Sequence, residues 1–478
     1  MTNDFLWGGA ISAAQTEGNK DKVKKQLSNF DILPMDSRRL QLVYKDDSNN
    51  IFNTYNKDHH PSEHGIDFYN TYEDDIDLMH ELGINSFRFS ISWTRLFPTG
   101  EEESPDKEGM KFYQEIVKRL RNYGMEPVVT LSHFEIPINL IKKYGGWSNR
   151  KVINLYIRYA TAVMKEFASS VKYWIPFNEM NMILHIPFIG GGLIFDRNEN
   201  ILQREYQAAH YQLVANALTV EIGKKINPKF QFGCMLAAGR TYPYTPKPED
   251  VWAANLNDRN ALLFSDVQVR GNYPTYFEYL CKTNKFQLDI TNDDLKVLND
   301  NTVDFVSFSY YSSACSAAES DGLERIATNG YQTLKNPYLS NETSVWQNDP
   351  IGLRITLNQL YERYEKPVFI VENGIGTTKD ELVSGQVHDS YRIEYLRNHF
   401  EELNKARKED GIPVIGYLMW GVIDLVSVSE GKMSKRYGVV YVDLDDKEQG
   451  SNKRYKKDSF YWYHDYIQQQ LVGGRENG

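Results

Sequence analysis

The segment Tyr173-Trp-Ile-Pro-Phe-Asn-Glu179 is an apolar run of five residues that ends in two polar side chains. Short apolar runs rich in aromatic and β-branched residues are typical of buried strands. A second run, Val368-Phe-Ile-Val-Glu-Asn373, ends in the same way. In a barrel of parallel strands, polar residues that directly follow the strands gather at one end. We therefore expect Glu179 and Glu372 to lie on one face of a parallel sheet.

Short apolar runs alternate with longer amphipathic segments along the whole chain. The strand pattern is found at residues 5–14, 86–91, 126–133, 173–177, 231–236, 303–310, 368–371 and 414–420. The helical pattern is found at residues 66–82, 110–123, 150–167, 204–226, 351–364 and 390–407. Such alternation predicts parallel pairing through helical crossovers. Eight strands predict an α/β fold of the (β/α)₈ TIM barrel type. The rival is an open doubly wound sheet, and the lack of a G-x-G-x-x-G motif after an early strand argues against it.

The chain has 478 residues, more than the ~250 that such a barrel needs. We therefore expect long loop insertions, with residues 19–62, 247–258 and 319–347 as the candidates. No repeat, low-complexity tract or long linker interrupts the sequence. Residues 1–478 are expected to form a single catalytic domain.

The net charge of −10 argues against nonspecific binding to nucleic acid or to an anionic membrane. Three widely spaced cysteines predict neither a disulfide framework nor a zinc site. The first ten residues do not resemble a signal peptide, and no apolar stretch approaches the ~20 residues that span a bilayer. We expect a cytoplasmic protein with no membrane or nucleic-acid partner, and a homo-oligomer is left open.

Motifs at the predicted strand ends resemble those of glycoside hydrolase family 1. Trp174-Ile-Pro-Phe-Asn-Glu179 resembles the acid/base motif T-F-N-E, and Ile370-Val-Glu-Asn-Gly374 resembles the nucleophile motif T/V-E-N-G. The earlier strand motifs also have counterparts, which are Phe5-Leu-Trp-Gly-Gly-Ala10, Gln15-Thr-Glu-Gly18, Phe87-Arg-Phe-Ser-Ile-Ser-Trp93 and Thr130-Leu-Ser-His-Phe-Glu-Ile-Pro137. The similarity runs in order from the N-terminus to at least residue 443.

This resemblance implies a retaining hydrolase in which Glu372 is the nucleophile and Glu179 the general acid and base. Their carboxyl groups are then expected ~5–5.5 Å apart. Arg88 and Tyr311 are implied to keep Glu372 ionised. The residues implied to contact the sugar are Gln15, His133, Asn178, Tyr310 and Trp420. Without its motif, His133 would instead be interpreted as a buried core histidine. The family pattern N-Y-Y is replaced here by Ser309-Tyr310-Tyr311.

The segment Trp420-Gly-Val-Ile-Asp-Leu-Val-Ser-Val-Ser429 departs from the family pattern W-S-x-x-D-N-x-E-W. Ser427 stands where the pattern has a glutamate that binds the outer sugar hydroxyls. A carboxylate there would repel a phosphorylated sugar, whereas a hydroxyl would donate to it. Lys435 and Tyr437 are two residues apart, so in an extended strand their side chains face the same way. Together they could bind a phosphate. The alternative is a solvated basic loop.

The pattern resembles the 6-phospho-β-glycosidases of the family. Val428 resembles the glucose-specific branch, because the galactose-specific members have tryptophan there. Either Ser427 or Ser429 could meet the phosphate. Trp346 resembles an aromatic platform for the aglycone, the leaving part of the substrate.

The resemblance implies a 6-phospho-β-glucosidase that acts on cellobiose 6-phosphate or aryl 6-phospho-β-glucosides. The alternatives are a 6-phospho-β-galactosidase, an unphosphorylated β-glucosidase and a catalytically silent sugar-phosphate sensor. No cofactor or metal is needed for this chemistry. The segment His59-His-Pro-Ser-Glu-His64 could suggest metal ligation, but without a second cluster it favours a loop.

Overall fold

Eight parallel strands close into a barrel. The computed structural model describes residues 5–18, 25–35, 39–40, 42, 52, 60–328, 330–342, 344 and 346–473. The barrel strands are β1 (Leu6–Ala10), β2 (Ser86–Ser90), β3 (Glu126–Ser132), β4 (Tyr173–Phe177), β5 (Gln231–Ala237), β6 (Phe305–Tyr310), β7 (Val368–Asn373) and β8 (Val414–Trp420). Each strand pairs with the next, and β8 pairs with β1 to close the ring. The predicted (β/α)₈ fold is confirmed.

A helix follows each strand and packs outside the barrel. These helices are α1 (Phe68–Glu81), α2 (Lys107–Asn122), α3 (Lys151–Glu166), α4 (Ile201–Ile226), α5 (Pro248–Arg270), α6 (Pro350–Tyr364), α7 (Ser390–Lys408) and α8 (Asp458–Gly473). In α2 the side chain of Asp106 accepts hydrogen bonds from the first-turn N–H groups of Glu108 and Gly109. Met110, Tyr113 and other residues at helical spacing bury one face of this helix.

Shorter helices and strands lie in the segments that connect the barrel strands and helices. The additional helices are Ala13–Thr16, Trp93–Leu96, Ile138–Tyr144, Pro187–Gly191, Thr275–Asn284 and Asn292–Asp300, and the 3₁₀ turns are Pro61–Glu63, Gly146–Ser148 and Met180–Leu184. The additional strands are Thr241–Pro243, Ala314–Ser316, Arg325–Ala327, Gln332–Leu334, Val440–Val442 and Arg454–Lys456.

The predicted insertions have different outcomes. Residues 319–347 do form an insertion, which carries the antiparallel pair Arg325–Ala327 and Gln332–Leu334. The prediction for residues 247–258 is wrong, because they begin the barrel helix α5. Pro248 in its first turn, followed by Glu249 and Asp250, is a helix-start signal that the predicted loop overlooked. Much of the predicted loop 19–62 lies outside the described residues.

The first strand is shorter than predicted. It ends at Ala10, and a short helix, Ala13–Thr16, follows where residues 5–14 were expected to be extended. This turn brings Gln15 to the carboxyl end of the barrel, next to the segment after β8. Among the described residues, no helix is long and apolar enough to cross a membrane.

Candidate active site

A cavity opens at the carboxyl ends of the strands. The residues predicted from sequence that line it are Gln15, His133, Asn178, Glu179, Tyr311, Glu372, Trp420, Ser429 and Tyr437. Glu372 of β7, Trp420 of β8 and residues from the segments that follow the strands thus converge, as the barrel geometry requires.

Glu372 lies at the end of β7 and is 3% exposed. Arg88 Nη1 donates to its Oε1 at 2.7 Å, and the hydroxyl of Tyr311 donates to its Oε2 at 3.0 Å. Burial raises the pKa of Glu372, and the charge and hydrogen bond of Arg88, with the hydrogen bond of Tyr311, oppose that rise. Both carboxylate oxygens therefore have a donor, which favours the ionised form.

Glu179 has a different environment. It is 7% exposed, and its Oε1 accepts a hydrogen bond from Ser309 Oγ. Burial and the nearby charge of Glu372 raise the pKa of Glu179 to about 8. Glu179 has no ion pair within the described part of the chain. When the pair holds one proton, these contacts favour its position on Glu179 and favour the ionised form of Glu372.

The backbone of Glu179 is left-handed, with φ 37° and ψ 54°. A residue with a Cβ adopts this conformation only when its surroundings hold it there. Asn181 supplies such a restraint, because its side chain exchanges two hydrogen bonds of 2.9 Å with the backbone of Ala237 at the end of β5. The turn after β4 is thus fixed to the next strand, and the carboxyl group of Glu179 has a defined position.

Arg88 connects the nucleophile side of the cavity to the acid side. Its Nη2 donates to Asn178 Oδ1 at 2.6 Å, and its Nε donates to Thr130 Oγ1 at 2.9 Å. With its oxygen engaged, Asn178 retains a buried Nδ2 that has no partner among the described residues. This amide is a donor available to a ligand hydroxyl.

His133 and Trp420 form one wall of the cavity. Their rings stack at 5.2 Å with an interplanar angle of 13°. Burial, reinforced by the charge of Arg88, holds the pKa of His133 well below its ordinary value, so the imidazole is neutral. Its buried Nδ1 has no protein partner in the described structure. Opposite ends of the Gln15 carboxamide are fixed by the Val426 carbonyl at 2.6 Å and the Ser12 hydroxyl at 2.8 Å.

The segment after β8 brings a cation and hydroxyl groups to the cavity. Lys435 Nζ donates to Ser429 Oγ at 2.9 Å and lies 3.4 Å from the carboxylate of Glu430. Ser429 lines the cavity, whereas Ser427 is completely buried behind it, with the two hydroxyl oxygens 3.2 Å apart. Of the two serines that the sequence left open, Ser429 is therefore the one that reaches the cavity.

Lys435 and Tyr437 do face the same way. Lys435 Nζ lies 5.1 Å from the ring centre of Trp346, and the ring of Tyr437 lies 6.4 Å from it. Arg436, the residue between them, belongs to no regular strand. A single antiparallel bridge between Arg436 and Thr377 sets the extended geometry instead.

Four predicted contact residues do not line the cavity, and they are Tyr310, Trp346, Ser427 and Lys435. Ser427 lies behind Ser429, and Lys435 reaches the wall through its hydrogen bond to Ser429. Trp346 is 0% exposed and packs against Tyr311 at 5.6 Å, so it supports the wall and offers no open face as a platform. Tyr310 points away from the barrel end, because side chains alternate along a strand and Ser309 takes the inward position. The hydroxyl of Tyr310 donates to the Asp349 carbonyl at 2.7 Å instead.

Sequence reasoning assigned no role to Ser309, Thr130 or Asn181. Ser309 had a usable signal, since it stands two residues before Tyr311 and so shares its direction in an extended strand. Thr130 lies on β3 and meets Arg88 only through the pairing of the two strands. No local pattern predicts that contact.

No group of three or more histidine, cysteine, aspartate or glutamate side chains in the described residues could hold a metal ion. His59 of the histidine-rich segment lies outside those residues. His60 Nδ1 lies 3.1 Å from the Leu33 carbonyl, and His64 lies 3.3 Å from the carboxylate of Glu448.

A (β/α)₈ barrel with one ionised and one protonated carboxyl group in the same cavity has the arrangement that glycoside cleavage requires. The family model for glycosyl hydrolase family 1 matches residues 1–471. The chain therefore belongs to glycosyl hydrolase family 1, whose chemistry is that of retaining glycosidases.

Known relatives cover nearly the whole chain. It is 48% identical to the aryl-phospho-beta-D-glucosidase BglH of Bacillus subtilis, over 97% of this chain and 96% of that protein. It is 47% identical to the 6-phospho-beta-glucosidase AscB of Escherichia coli, over 96% of each. A 6-phospho-beta-galactosidase of Clostridium acetobutylicum is 31% identical, over 96% of this chain and 95% of that protein. Among solved structures, a family 1 β-glucosidase of Thermotoga maritima has a TM-score of 0.81 at 28% identity, over 98% of both chains.

Proposed function

We propose that this protein hydrolyses 6-phospho-β-D-glucosides to glucose 6-phosphate and the released aglycone. The observation that carries the proposal is the position of Ser429, Lys435 and Tyr437 beside the cavity that holds Glu179 and Glu372. A site with only the two glutamates would suit any β-glycoside. A lysine and hydroxyl donors at one end of it suit a substrate with a phosphoryl group.

The mechanism proceeds in two steps. In the first, the Glu372 carboxylate attacks the anomeric carbon, and Glu179 gives its proton to the departing glycosidic oxygen. The sugar is then covalently bound to Glu372. In the second step Glu179, now ionised, takes a proton from water, and the resulting attack releases the sugar with its original anomeric configuration.

The surrounding residues bind and orient the sugar. Arg88 and Tyr311 each donate a hydrogen bond to one oxygen of the Glu372 carboxylate and so hold the nucleophile in place. The unpaired Nδ2 of Asn178 and the imidazole of His133 are suited to hydrogen-bond the sugar hydroxyls, with Gln15 held beside them. Trp420 supplies an apolar ring face.

The phosphoryl group is proposed to lie against Ser429, Lys435 and Tyr437. In the free protein Lys435 is paired with Glu430, whose side chain is 35% exposed and can turn to solvent when the phosphate arrives. Lys435 itself is nearly buried, and a buried ammonium gains strongly from an adjacent dianion.

Glucose rather than galactose is proposed as the sugar. Val428 lines the cavity beside Ser429. Relatives named for 6-phospho-β-glucosides are more similar to this chain than the 6-phospho-β-galactosidase of Clostridium acetobutylicum. Both observations favour the glucose branch.

We also propose that residues 1–478 act as one catalytic domain in the cytoplasm. The pairing of β1 with β8 supports the single domain, because the barrel closes only when its first strand meets its last strand. Support for the cytoplasmic location comes from the substrate, because a phosphate dianion does not readily cross a bilayer, so a sugar that is phosphorylated inside the cell stays there.

A comparison of three nitrophenyl substrates tests the proposal. The purified protein is assayed with the 6-phospho-β-glucoside, the 6-phospho-β-galactoside and the unphosphorylated β-glucoside. We expect kcat/KM for the first to exceed that for the third by at least about 100-fold, because a site built around polar partners rejects an analogue that lacks them. Faster cleavage of the galactoside would contradict the choice of sugar, and faster cleavage of the neutral glucoside would contradict the phosphate site.

The assay also addresses a sugar-phosphate sensor without catalysis. Such a protein would bind glucose 6-phosphate but release no nitrophenol from any of the three substrates. The unequal protonation of Glu179 and Glu372 supports a working catalytic pair instead.

A further inference from the structure

Arg39 is a buried arginine without a carboxylate partner in the described structure. It is 2% exposed, and its Nε donates to the Val428 carbonyl at 2.6 Å. Its Nη1 donates to the carbonyls of Leu33 and Pro34 at 3.0 and 3.2 Å. Carbonyl oxygens accept these hydrogen bonds but do not neutralise the charge of the guanidinium.

Other completely buried arginines have a different environment. Arg88 pairs with Glu372 at 2.7 Å, Arg95 with Glu17 at 2.7 Å, and Arg392 with Asp380 at 2.8 Å. An uncompensated buried charge costs several kcal/mol, whereas a paired one recovers much of that cost. Burial lowers the pKa of Arg39 to about 9, so the group is still a cation at neutral pH.

The position of Arg39 connects this charge to the cavity. Leu40, the next residue, lines the cavity, and so do Val428 and Ser429. The carbonyl that Arg39 binds belongs to the peptide group whose N–H is that of Ser429. A cationic donor polarises this peptide and makes its N–H a stronger donor. The Ser429 N–H has no acceptor among the described residues.

Gly431 allows the guanidinium to approach the same loop. A Cβ placed on Gly431 would lie 2.9 Å from Arg39 Nη1, and its backbone has φ +70°. The short distance leaves no room for a side chain at Gly431, and the positive φ is one that glycine adopts readily. Arg39 is thus packed against residues 428–431 and does not itself line the cavity.

We propose that Arg39 is a specificity-determining residue for the substrate's phosphoryl group, acting as a positioning residue through the peptide between Val428 and Ser429. Its fixed cation supplements Lys435, so that two positive charges meet a phosphate dianion. The phosphate in turn supplies the counter-charge that Arg39 lacks. This inference rests on the proposed function, since it concerns the same phosphoryl group.

The test compares Arg39→Met and Arg39→Lys with the parent protein on the phosphorylated and unphosphorylated nitrophenyl β-glucosides. For Arg39→Met we expect KM for the phosphorylated substrate to rise about 10- to 100-fold, the scale of a lost charge-assisted hydrogen bond. Its kcat should stay within about twofold, because the residue does not touch the reacting atoms. Kinetics with the unphosphorylated substrate should be unchanged. Arg39→Lys keeps the charge and should recover part of the affinity.

Arg407 provides a matched control. Burial also lowers the pKa of Arg407, which packs 3.9 Å above the ring of Phe5 at the opposite end of the barrel. Arg407→Met should leave the ratio of the two substrates unchanged. Inhibition by glucose 6-phosphate, compared with glucose, gives a second readout that does not depend on turnover.

The outcomes separate this inference from the proposed function. Equal losses on both substrates, or an unchanged KM for the phosphorylated one, would overturn the role of Arg39. If Arg39→Met does not fold, Arg39→Gln decides, because glutamine keeps amide donors but has no charge. Parent-like KM values with both substrates and parent-like inhibition by glucose 6-phosphate in Arg39→Gln would overturn the role of Arg39. A parent protein that does not prefer the phosphorylated substrate would instead contradict the proposed function.

Discussion

The two glutamates are chemically identical but meet unequal surroundings. Glu372 accepts hydrogen bonds from the guanidinium of Arg88 and the phenol of Tyr311. Glu179 accepts one hydrogen bond from the hydroxyl of Ser309 and lies near the negative charge of Glu372. In a site shielded from water, such differences decide which group holds a proton. The proposed roles of Glu372 as nucleophile and Glu179 as acid therefore rest on the neighbours of each carboxyl group.

Replacing Glu372 should change the titration of Glu179. In Glu372→Gln we expect at least a 10³-fold loss of activity, about the scale seen when a catalytic nucleophile is removed. The pKa of Glu179 should fall from about 8, because the repelling charge is gone while burial remains. Carbon-13 NMR of labelled glutamate measures this shift. An unchanged or higher pKa would mean that the two carboxyl groups do not interact.

Ser309→Ala should have the opposite effect on Glu179. The serine hydroxyl donates to the carboxylate and so lowers the pKa of Glu179. Without it the protonated form is favoured further, and the basic limb of the pH profile of kcat/KM should move to higher pH. Ser307→Ala, on the same strand but bonded to the Cys234 carbonyl, is the control and should leave the limb in place.

At the scale of elements, a buried charged network holds the segment after β8. Lys457 donates to Asp380 at 2.6 Å and to Asp424 at 2.9 Å, and all three side chains are fully buried. Arg392 of α7 binds Asp380 and the carbonyl of Tyr437. Helix α7 and the residue before α8 thus fix the loop that carries the groups proposed to bind the phosphate.

Lys457→Met should destabilise the protein by about 3–5 kcal/mol, because it leaves two buried carboxylates short of a partner. Urea unfolding measures this change. Burial raises the pKa of Asp380, but Lys457 and Arg392 outweigh it and hold the pKa below its ordinary value. Adding Asp380→Asn to Lys457→Met should therefore recover part of the loss. A double variant less stable than the single one would show that the network is not the cause.

The elements near the site differ in how far sequence predicts them. The strands β4 and β8 have the predicted bounds, because a short apolar run between polar residues has few alternatives. The start of α5 and the bridge at Arg436 were not predicted, since polar segments fold according to distant partners such as Thr377. Dependence on distant partners also explains which parts of the site were predicted. Glu179 and Glu372 follow from motifs, but the burial of Trp346 and Tyr310 and the contact of Arg39 depend on packing between remote segments.

At the scale of the whole molecule, the barrel carries buried groups that the chemistry does not use. Glu205 on α4 is 6% exposed, and burial raises its pKa to about 8. Between about pH 4.5 and 8 the unfolded chain loses this proton while the folded protein keeps it. The group's contribution to folding stability is therefore present at low pH and is lost as the pH rises to about 8.

Glu205→Gln should remove this pH dependence. Relative to the parent, the variant should gain about 1–3 kcal/mol at pH 8 and much less at pH 5, since each pKa unit corresponds to about 1.4 kcal/mol. Unfolding in urea at the two pH values measures the difference. Glu221→Gln, on the same helix and paired with Lys225 near the surface, is the control. An equal gain at both pH values would contradict the raised pKa.

The central claim joins the glutamate pair to a phosphorylated substrate, and one labelling experiment tests both parts. The protein is incubated with a 2-deoxy-2-fluoro-6-phospho-β-glucosyl donor that has a good leaving group, digested, and mapped by mass spectrometry. We predict a single adduct on the peptide that contains Glu372, formed faster than with the unphosphorylated donor. An adduct on Glu179 or another residue, or preference for the unphosphorylated donor, would contradict the account.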